Sequence, residues 1–218
     1  MTEHAYPPAQ KKRPREAADL RTATLACRCI LRLGEPRLPV NPMAMLRRCR
    51  GVVLYTEEEA RGVLRREGEA PLWPEQLRED VAAFTVGDGA GRWILVWRPL
   101  QPATRLRFSL AHELGHIVLG HHPAPDSRPA REEREANAFA RHLVMPPPLV
   151  ARLRGEGKLD WLEQAALVFG VSRTTADIAL HRPVPPVEEG LAREVTALLL
   201  PEALRRWPPC VPLRWHPV

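Results

Sequence analysis

Two histidines and a glutamate stand at a spacing that suits a metal ion. The segment Ser109–Gly120 reads SLAHELGHIVLG, and in it His112 and His116 are four residues apart. On a helix with about 3.6 residues per turn, both imidazoles leave the same face and can bind one metal ion. Glu113 is displaced around the helix from His112, where its carboxylate can act as a general base on a water molecule. The motif therefore predicts a zinc site with hydrolytic chemistry.

The other residues of this segment favour a buried site over a surface helix that merely carries two histidines. They are apolar nearly all round: Leu110, Ala111, Leu114, Ile117, Val118 and Leu119. A helix of this kind is buried in a protein interior. Imidazole and carboxylate groups without partners would be costly there, and a metal ion with its water removes that cost.

A catalytic zinc site has three protein ligands, and we expect the third from an acidic cluster downstream. Glu132, Glu133 and Glu135 lie on a second predicted helix, rich in alanine and ended by Pro146. We choose Glu133 because Asn137 stands one turn further on the same face, between two alanines, where it can hydrogen-bond to a ligand. Glu132 and Glu135 remain alternatives. All three glutamates could also be solvent-exposed residues of the first helical turn, where the helix dipole favours acidic side chains, with no role in metal binding.

Three further histidines receive no ligand role. His121 and His122 could orient ligands or polarise a substrate carbonyl, but a place at a helix end, where a cation suits the dipole, is the simpler interpretation. His142 lies on the second helix about 180° around from Glu133, which makes it a poor ligand.

At these motifs the sequence resembles the ImmA/IrrE family of metallo-endopeptidases. The resemblance rests on RLRFSLAHELGHIVLGH, on E-x-E-A-N-A-F-A and on LVMP, and it is densest from Arg105 to Pro146. It implies that His112, His116 and Glu133 bind zinc and that Glu113 is the catalytic base. It also implies the substrate, a helix-turn-helix transcriptional repressor that is cleaved to derepress stress-response or mobile-element genes.

The predicted fold class is α+β: a mainly helical, zincin-like metalloprotease domain with a small β-sheet, followed by a helix-turn-helix-like helical segment. We divide the chain into a flexible basic tail at 1–15, the metallopeptidase domain at 16–158, the helix-turn-helix-like segment at 159–181 and a Pro-rich C-terminal extension at 182–218. In the extension we predict a helix from about Leu191 to Leu200, followed by Pro201.

The sheet is expected from three apolar runs. Val52–Tyr55 suits a buried strand, and Ala83–Val86 and Trp93–Trp97 flank the turn sequence GDGAG, which indicates a hairpin. In the resembled proteases a sheet edge beside the zinc helix pairs with the substrate backbone. We expect Trp93–Trp97 to be that strand, with a purely structural hairpin as the alternative.

The segment Leu159–His181 has the pattern of two short helices around G-V-S. In a DNA reader, Arg173 to Thr175 would contact bases. Asp177, near the middle of the second helix, would repel the phosphates of DNA. We therefore expect this segment to pack against the rest of the protein and keep DNA as the less favoured partner.

Composition sets wider limits. The 218 residues carry a net charge of +6 and a pI near 9.7, compatible with contact to nucleic acid or to an acidic protein, without deciding between them. No stretch approaches about 18 consecutive apolar residues, so we expect no membrane contact and a cytoplasmic location. Cys27, Cys29, Cys49 and Cys210 are too few and irregular for a disulfide framework, and we interpret them as thiols.

Two functions follow from these observations. The first is a cytoplasmic zinc-dependent endopeptidase that cleaves a repressor protein, with Mn²⁺ left open as the working ion. The alternative is a DNA- or repressor-binding regulator with a structural zinc and no proteolysis. Glu113 favours the enzyme, since a structural zinc site has no use for that carboxylate and usually has four protein ligands.

Overall fold

A computed structural model describes residues 14–66, 81–155 and 162–207. Within these ranges the chain forms nine α-helices and three β-strands: α1 Pro14–Leu33, α2 Pro42–Arg48, β1 Val52–Thr56, α3 Glu57–Arg66, β2 Ala83–Gly87, β3 Trp93–Trp97, α4 Ala103–Leu119, α5 Ala130–Val144, α6 Pro147–Gly155, α7 Leu162–Phe169, α8 Arg173–His181 and α9 Glu189–Arg206. The predicted α+β class, mainly helical with a small sheet, is confirmed. Most of the predicted basic tail, at 1–13, lies outside the described residues, as does Cys210.

The three strands form a mixed sheet in the order β1-β3-β2. Strand β3 pairs in parallel with β1 and antiparallel with β2, so the predicted hairpin is present. The expectation that Trp93–Trp97 pairs with a substrate is wrong, because this central strand is hydrogen-bonded on both sides. The strand that packs most closely against α4 is β2, and β2 is also an edge strand.

The two faces of the sheet are covered by different elements. Leu95 on β3 is fully buried in the main core, on the side of α4. On the opposite face, Phe84 and Val96 pack with Ala60 of α3 in a small separate cluster. Since successive side chains of a strand point to opposite faces, this alternation places the sheet between α3 and α4.

Helices α4 and α5 lie very close together. A Cβ atom added at Gly115 would lie 3.1 Å from Phe139 Cδ1 and 3.3 Å from both Cα and the carbonyl oxygen of Ala136. Glycine on α4 and alanine on α5 therefore allow the two backbones to approach. This contact brings the acidic first turn of α5 towards the histidines of α4.

Helix α1 packs on α5, partly through a half-buried ion cluster. Asp19 Oδ1 accepts hydrogen bonds from Arg141 Nη2, at 3.0 Å, and from His142 Nε2, at 2.9 Å. His142 thus faces α1, and its lack of a ligand role stays a prediction.

The last three helices share the main core. Ser172 caps α8 by accepting a hydrogen bond from the Thr175 amide, and the predicted turn between α7 and α8 is present. Buried residues of α7, α8 and α9 belong to the same cluster as those of α4 and α5: Ala165, Val168, Phe169, Ala176, Val195, Leu199 and Ala203. Helix α9 continues through Pro201 to Arg206, beyond its predicted end, because the fully buried Ala203 extends its apolar face.

No α-helix among the described residues combines the length and the apolar character needed to cross a membrane.

Candidate metal centre and active site

Helix α4 carries the HELGH motif and buries most of it. His116 is fully buried and Glu113 is 5% exposed, while the His112 side chain retains slight exposure at the surface of the site. The helix ends at Gly120, whose left-handed backbone (φ 68°, ψ 42°) is one that glycine adopts without strain.

The two imidazoles and a carboxylate of α5 converge on one point. His112 Nε2 lies 2.8 Å from His116 Nε2. Glu133 Oε2 is 3.2 Å from His112 Nε2, and its Oε1 is 3.5 Å from His116 Nε2. Ligand atoms of His112, Glu113 and His116 also lie within 4.8 Å of one another.

Hydrogen bonds on the far side of each ring direct both Nε2 atoms inwards. Asn137 Oδ1 lies 3.2 Å from His112 Nδ1, and His121 Nδ1 lies 2.9 Å from His116 Nδ1. A proton on each ligand's Nδ1 leaves the Nε2 lone pair for a metal, the usual arrangement of histidine ligands. This donor set, two nitrogens and one carboxylate, fits a catalytic zinc-type ion.

The other two glutamates of the cluster point elsewhere. Glu132 Oε2 accepts a hydrogen bond of 2.9 Å from the amide of His122. Glu135 Oε2 lies 3.4 Å from His121 Nε2. Of the three candidates from the sequence, Glu133 is therefore the one that the fold brings to the two imidazoles.

The charge states of His116 and Glu133 suit metal binding, whereas His112 would have to lose a proton to bind a metal. Burial, helped by nearby positive groups, lowers the pKa of His116 to about 2, so this imidazole is neutral. Burial also lowers the pKa of His112, but the hydrogen bond to Glu133 and the charge of Glu113 outweigh it, and the net pKa is raised. The hydrogen bond from His112 lowers the pKa of Glu133, which keeps that carboxylate ionised.

Glu113 is anchored to the edge strand. Thr85 Oγ1, on β2, donates a hydrogen bond of 2.6 Å to Glu113 Oε2, and Arg128 Nη1 lies 3.8 Å from the same oxygen. Burial raises the pKa of Glu113, although His112, Thr85 and Arg128 act in the opposite direction. A buried carboxylate with a raised pKa can accept a proton and return it.

The loop between α4 and α5 closes over β2 through a buried arginine. Arg128 Nη2 donates hydrogen bonds to Thr85 O at 2.8 Å and to Thr85 Oγ1 at 3.1 Å. Its Nε donates to His122 O at 3.0 Å, and the Gly87 amide donates to Pro123 O at 3.1 Å. The loop therefore covers part of the outer edge of β2.

Sequence reasoning missed two residues of this site and ranked the role of a third too low. Thr85 and Arg128 carry no local signal, since a threonine in a strand and an arginine in a loop are ordinary. His121 does follow the end of α4, as favoured, but it is 6% exposed and its ring contacts the ring of His116, which fits the less favoured interpretation that it orients a ligand. Its place five residues beyond His116, after a glycine that turns the chain back, was the available signal.

The family model described as the IrrE N-terminal-like domain (Peptidase M78) matches residues 73–181, half of the chain. The match includes the HELGH helix and the acidic turn of α5, and it extends to the end of α8. No curated protein matches the chain.

Proposed function

Since the chain belongs to the IrrE N-terminal-like (ImmA/IrrE) family of metallopeptidases, we propose that it is a zinc-dependent endopeptidase. His112, His116 and Glu133 would hold the zinc ion, and Glu113 would be the catalytic base. The observation that carries this proposal is the convergence of two Nε2 atoms, 2.8 Å apart, with a carboxylate at 3.2 and 3.5 Å. Glu113 lies beside them on the same helix.

When bound, zinc supplies Lewis-acid chemistry: it polarises the scissile carbonyl and favours attack by water. Two imidazoles and one carboxylate also accommodate manganese, which tolerates oxygen ligands, so the metal content of the purified protein is part of the test.

The proton transfers fall to Glu113. Its Oε2 is fixed by Thr85, so we assign Oε1 as the oxygen that takes a proton from the attacking water. The same carboxyl then delivers the proton to the leaving amine nitrogen. Burial favours the protonated form between these steps, because a neutral carboxyl is the cheaper form away from water.

For the substrate we propose a helix-turn-helix repressor, cleaved in the cytoplasm to derepress stress-response or mobile-element genes. The family membership supports this class. The edge strand β2 packs against α4, but its outer edge is not free for an extended peptide, because Arg128 and Pro123 already bond to Thr85 O and to the Gly87 amide.

The alternative, a DNA-binding regulator, gains no support from α8. Arg173, the first residue of that helix, lies 3.0 Å from Glu163 of α7, which offsets its charge. Both side chains are exposed, so the pair is weak, but it places a carboxylate where a phosphate would have to bind.

The test is Glu113→Gln with Glu132→Gln as its matched control. Glu113→Gln should retain metal and lose cleavage of a repressor encoded beside this chain, co-expressed with it. Glu132→Gln should retain both, since its carboxylate accepts a bond from the His122 amide and lies away from the imidazoles. Continued cleavage by the Glu113 variant would refute the role assigned to that residue.

A further inference from the structure

A buried row of three side chains leads from α5 to the metal-facing histidine of α4. His116 Nδ1 and His121 Nδ1 are 2.9 Å apart, and His121 Nε2 is 3.4 Å from Glu135 Oε2. The His116 side chain is fully buried, that of His121 is 4% exposed and that of Glu135 is 13% exposed. The proposed chemistry uses neither His121 nor Glu135.

A single proton must lie between the two Nδ1 atoms. At 2.9 Å, two lone pairs facing each other repel, and two N–H groups collide. Either His116 donates to His121, or His121 donates to His116.

The carboxylate of Glu135 distinguishes these two arrangements. If neutral His121 donated from Nδ1, its Nε2 lone pair would face Glu135, and neutral His116 would carry its proton on Nε2. If His116 donates from Nδ1, His121 has its proton on Nε2, directed at the carboxylate, and His116 has its Nε2 lone pair directed at His112 and Glu133. In the second arrangement the Nε2–H of His121 meets a carboxylate and the Nε2 lone pair of His116 faces the metal position, whereas in the first a lone pair of His121 faces a carboxylate.

We propose that His121 and Glu135 are positioning residues, which hold His116 in the Nδ1–H tautomer and thereby present its Nε2 to the metal. This inference rests on the metal site of the proposed function. It assigns His116 as the donor in the hydrogen bond between the two Nδ1 atoms, and it gives a role to His121 and Glu135, which are not among the proposed metal ligands.

The local fold holds the row in place. Gly120 turns the chain back at the end of α4, and the amide of His121 donates a hydrogen bond of 3.0 Å to His116 O. On α5, Arg131 Nε lies 3.3 Å from Glu135 Oε1, so the carboxylate is paired on its outer side as well. Backbone and side-chain contacts thus fix His121 between the two helices.

The first experiment measures metal affinity in the full chain. His121→Phe removes the acceptor while keeping a ring, and we expect the affinity for Zn²⁺, from competition with a chelator, to fall about 10–100-fold. His121→Gln keeps a side-chain oxygen as acceptor and should recover most of the loss. His122→Phe is the matched control, because that exposed ring contacts the loop at Ala124.

A purely structural role for His121 would give a different pattern. The metal-free His121→Phe protein would then unfold at a lower temperature than the His122→Phe control, with unchanged Zn²⁺ affinity, and this result would overturn the proposal. Our account predicts that the affinity falls, and that the His121→Gln variant restores it whatever the unfolding temperature of His121→Phe.

The second experiment reads the tautomers directly. Long-range ¹H–¹⁵N correlation of the imidazoles should show His116 protonated at Nδ1 and His121 protonated at Nε2, with and without Zn²⁺, since Glu135 selects the arrangement. Protonation of His121 at Nδ1 with His116 protonated at Nε2 would overturn it. A wild-type chain that binds no metal yet shows the expected tautomers would instead refute the proposed function and leave the orienting row standing.

Discussion

Replacement of Thr85 by valine isolates the contact between the edge strand and the catalytic base. Thr85 is fully buried and its Oγ1 donates a 2.6 Å hydrogen bond to Glu113 Oε2. Valine has nearly the same shape and lacks the hydroxyl. Metal binding should persist, because the Thr85 side chain bonds to the base and to Arg128 and not to the three proposed ligands.

The size of the effect follows from the charge on the acceptor. A hydrogen bond to an ionised group contributes about 1.5–3 kcal/mol, and one pKa unit corresponds to about 1.36 kcal/mol. Because the hydroxyl stabilises the ionised form, its loss should raise the pKa of Glu113, and about 1.5–3 kcal/mol corresponds to about a 10- to 150-fold change in the protonation equilibrium. The carboxylate is the active form of the base, so activity below the new pKa should fall about 10-fold per pH unit.

The assay is the pH profile of kcat/KM on a cleaved repressor, whose acidic limb reports the base of the free enzyme. Thr85→Val should move this limb to higher pH and leave the plateau at higher pH nearly unchanged. The matched control is Thr22→Val, a buried threonine of α1 whose hydroxyl donates to Asp19 O at 2.9 Å, away from the site. An acidic limb that stays in place in Thr85→Val would refute the assignment of Glu113 as a base tuned by β2.

Two further substitutions test how α5 is held. Gly115→Ala brings a Cβ within 3.3 Å of the Ala136 backbone, so we expect urea denaturation to show that the free energy of unfolding falls by about 1–3 kcal/mol. Chelator competition should show weaker Zn²⁺ binding, because Glu133 moves with α5. An unchanged Zn²⁺ affinity would contradict this prediction. Burial lowers the pKa of His142 below its ordinary 6.5 and Asp19 acts in the opposite direction, so the folded state loses stability as the pH falls below the unfolded pKa. Asp19→Asn should lower the pKa of His142 further, so this variant should lose more stability than wild type between about pH 7 and about pH 5. Urea titrations at the two pH values measure this loss. If the variant and wild type lose the same free energy of unfolding, the Asp19–His142 contact does not act as described.

The convergence of the three proposed ligands could be predicted because its signals are local. His112 and His116 share a helix face by spacing alone, and Glu133 was selected by its relation to Asn137 within one helix turn. The fold brings Glu133 to the two imidazoles through the close contact at Gly115, and the choice among three glutamates required no knowledge of the sheet.

The remainder depends on contacts between residues distant in the chain. The central place of β3 follows from its parallel pairing with β1, some forty residues earlier, and local pattern does not fix such a pairing. Thr85 contacts Glu113 because β2 is the edge strand beside α4. The residues next to Thr85 in the sequence do not predict this position. The ligand-orienting role of His121 was only the less favoured interpretation, because it depends on the left-handed turn at Gly120, which brings the ring back onto His116 instead of into solvent.

The most direct test of the central claim is the metal content of purified wild type, Glu113→Gln and Glu133→Gln, measured by elemental analysis after dialysis against trace Zn²⁺. The account predicts a single bound ion per chain in wild type and in Glu113→Gln, and a loss of most of that ion in Glu133→Gln. Full retention of the ion by Glu133→Gln, or its loss from Glu113→Gln, would contradict the assignment of Glu133 as ligand and Glu113 as base.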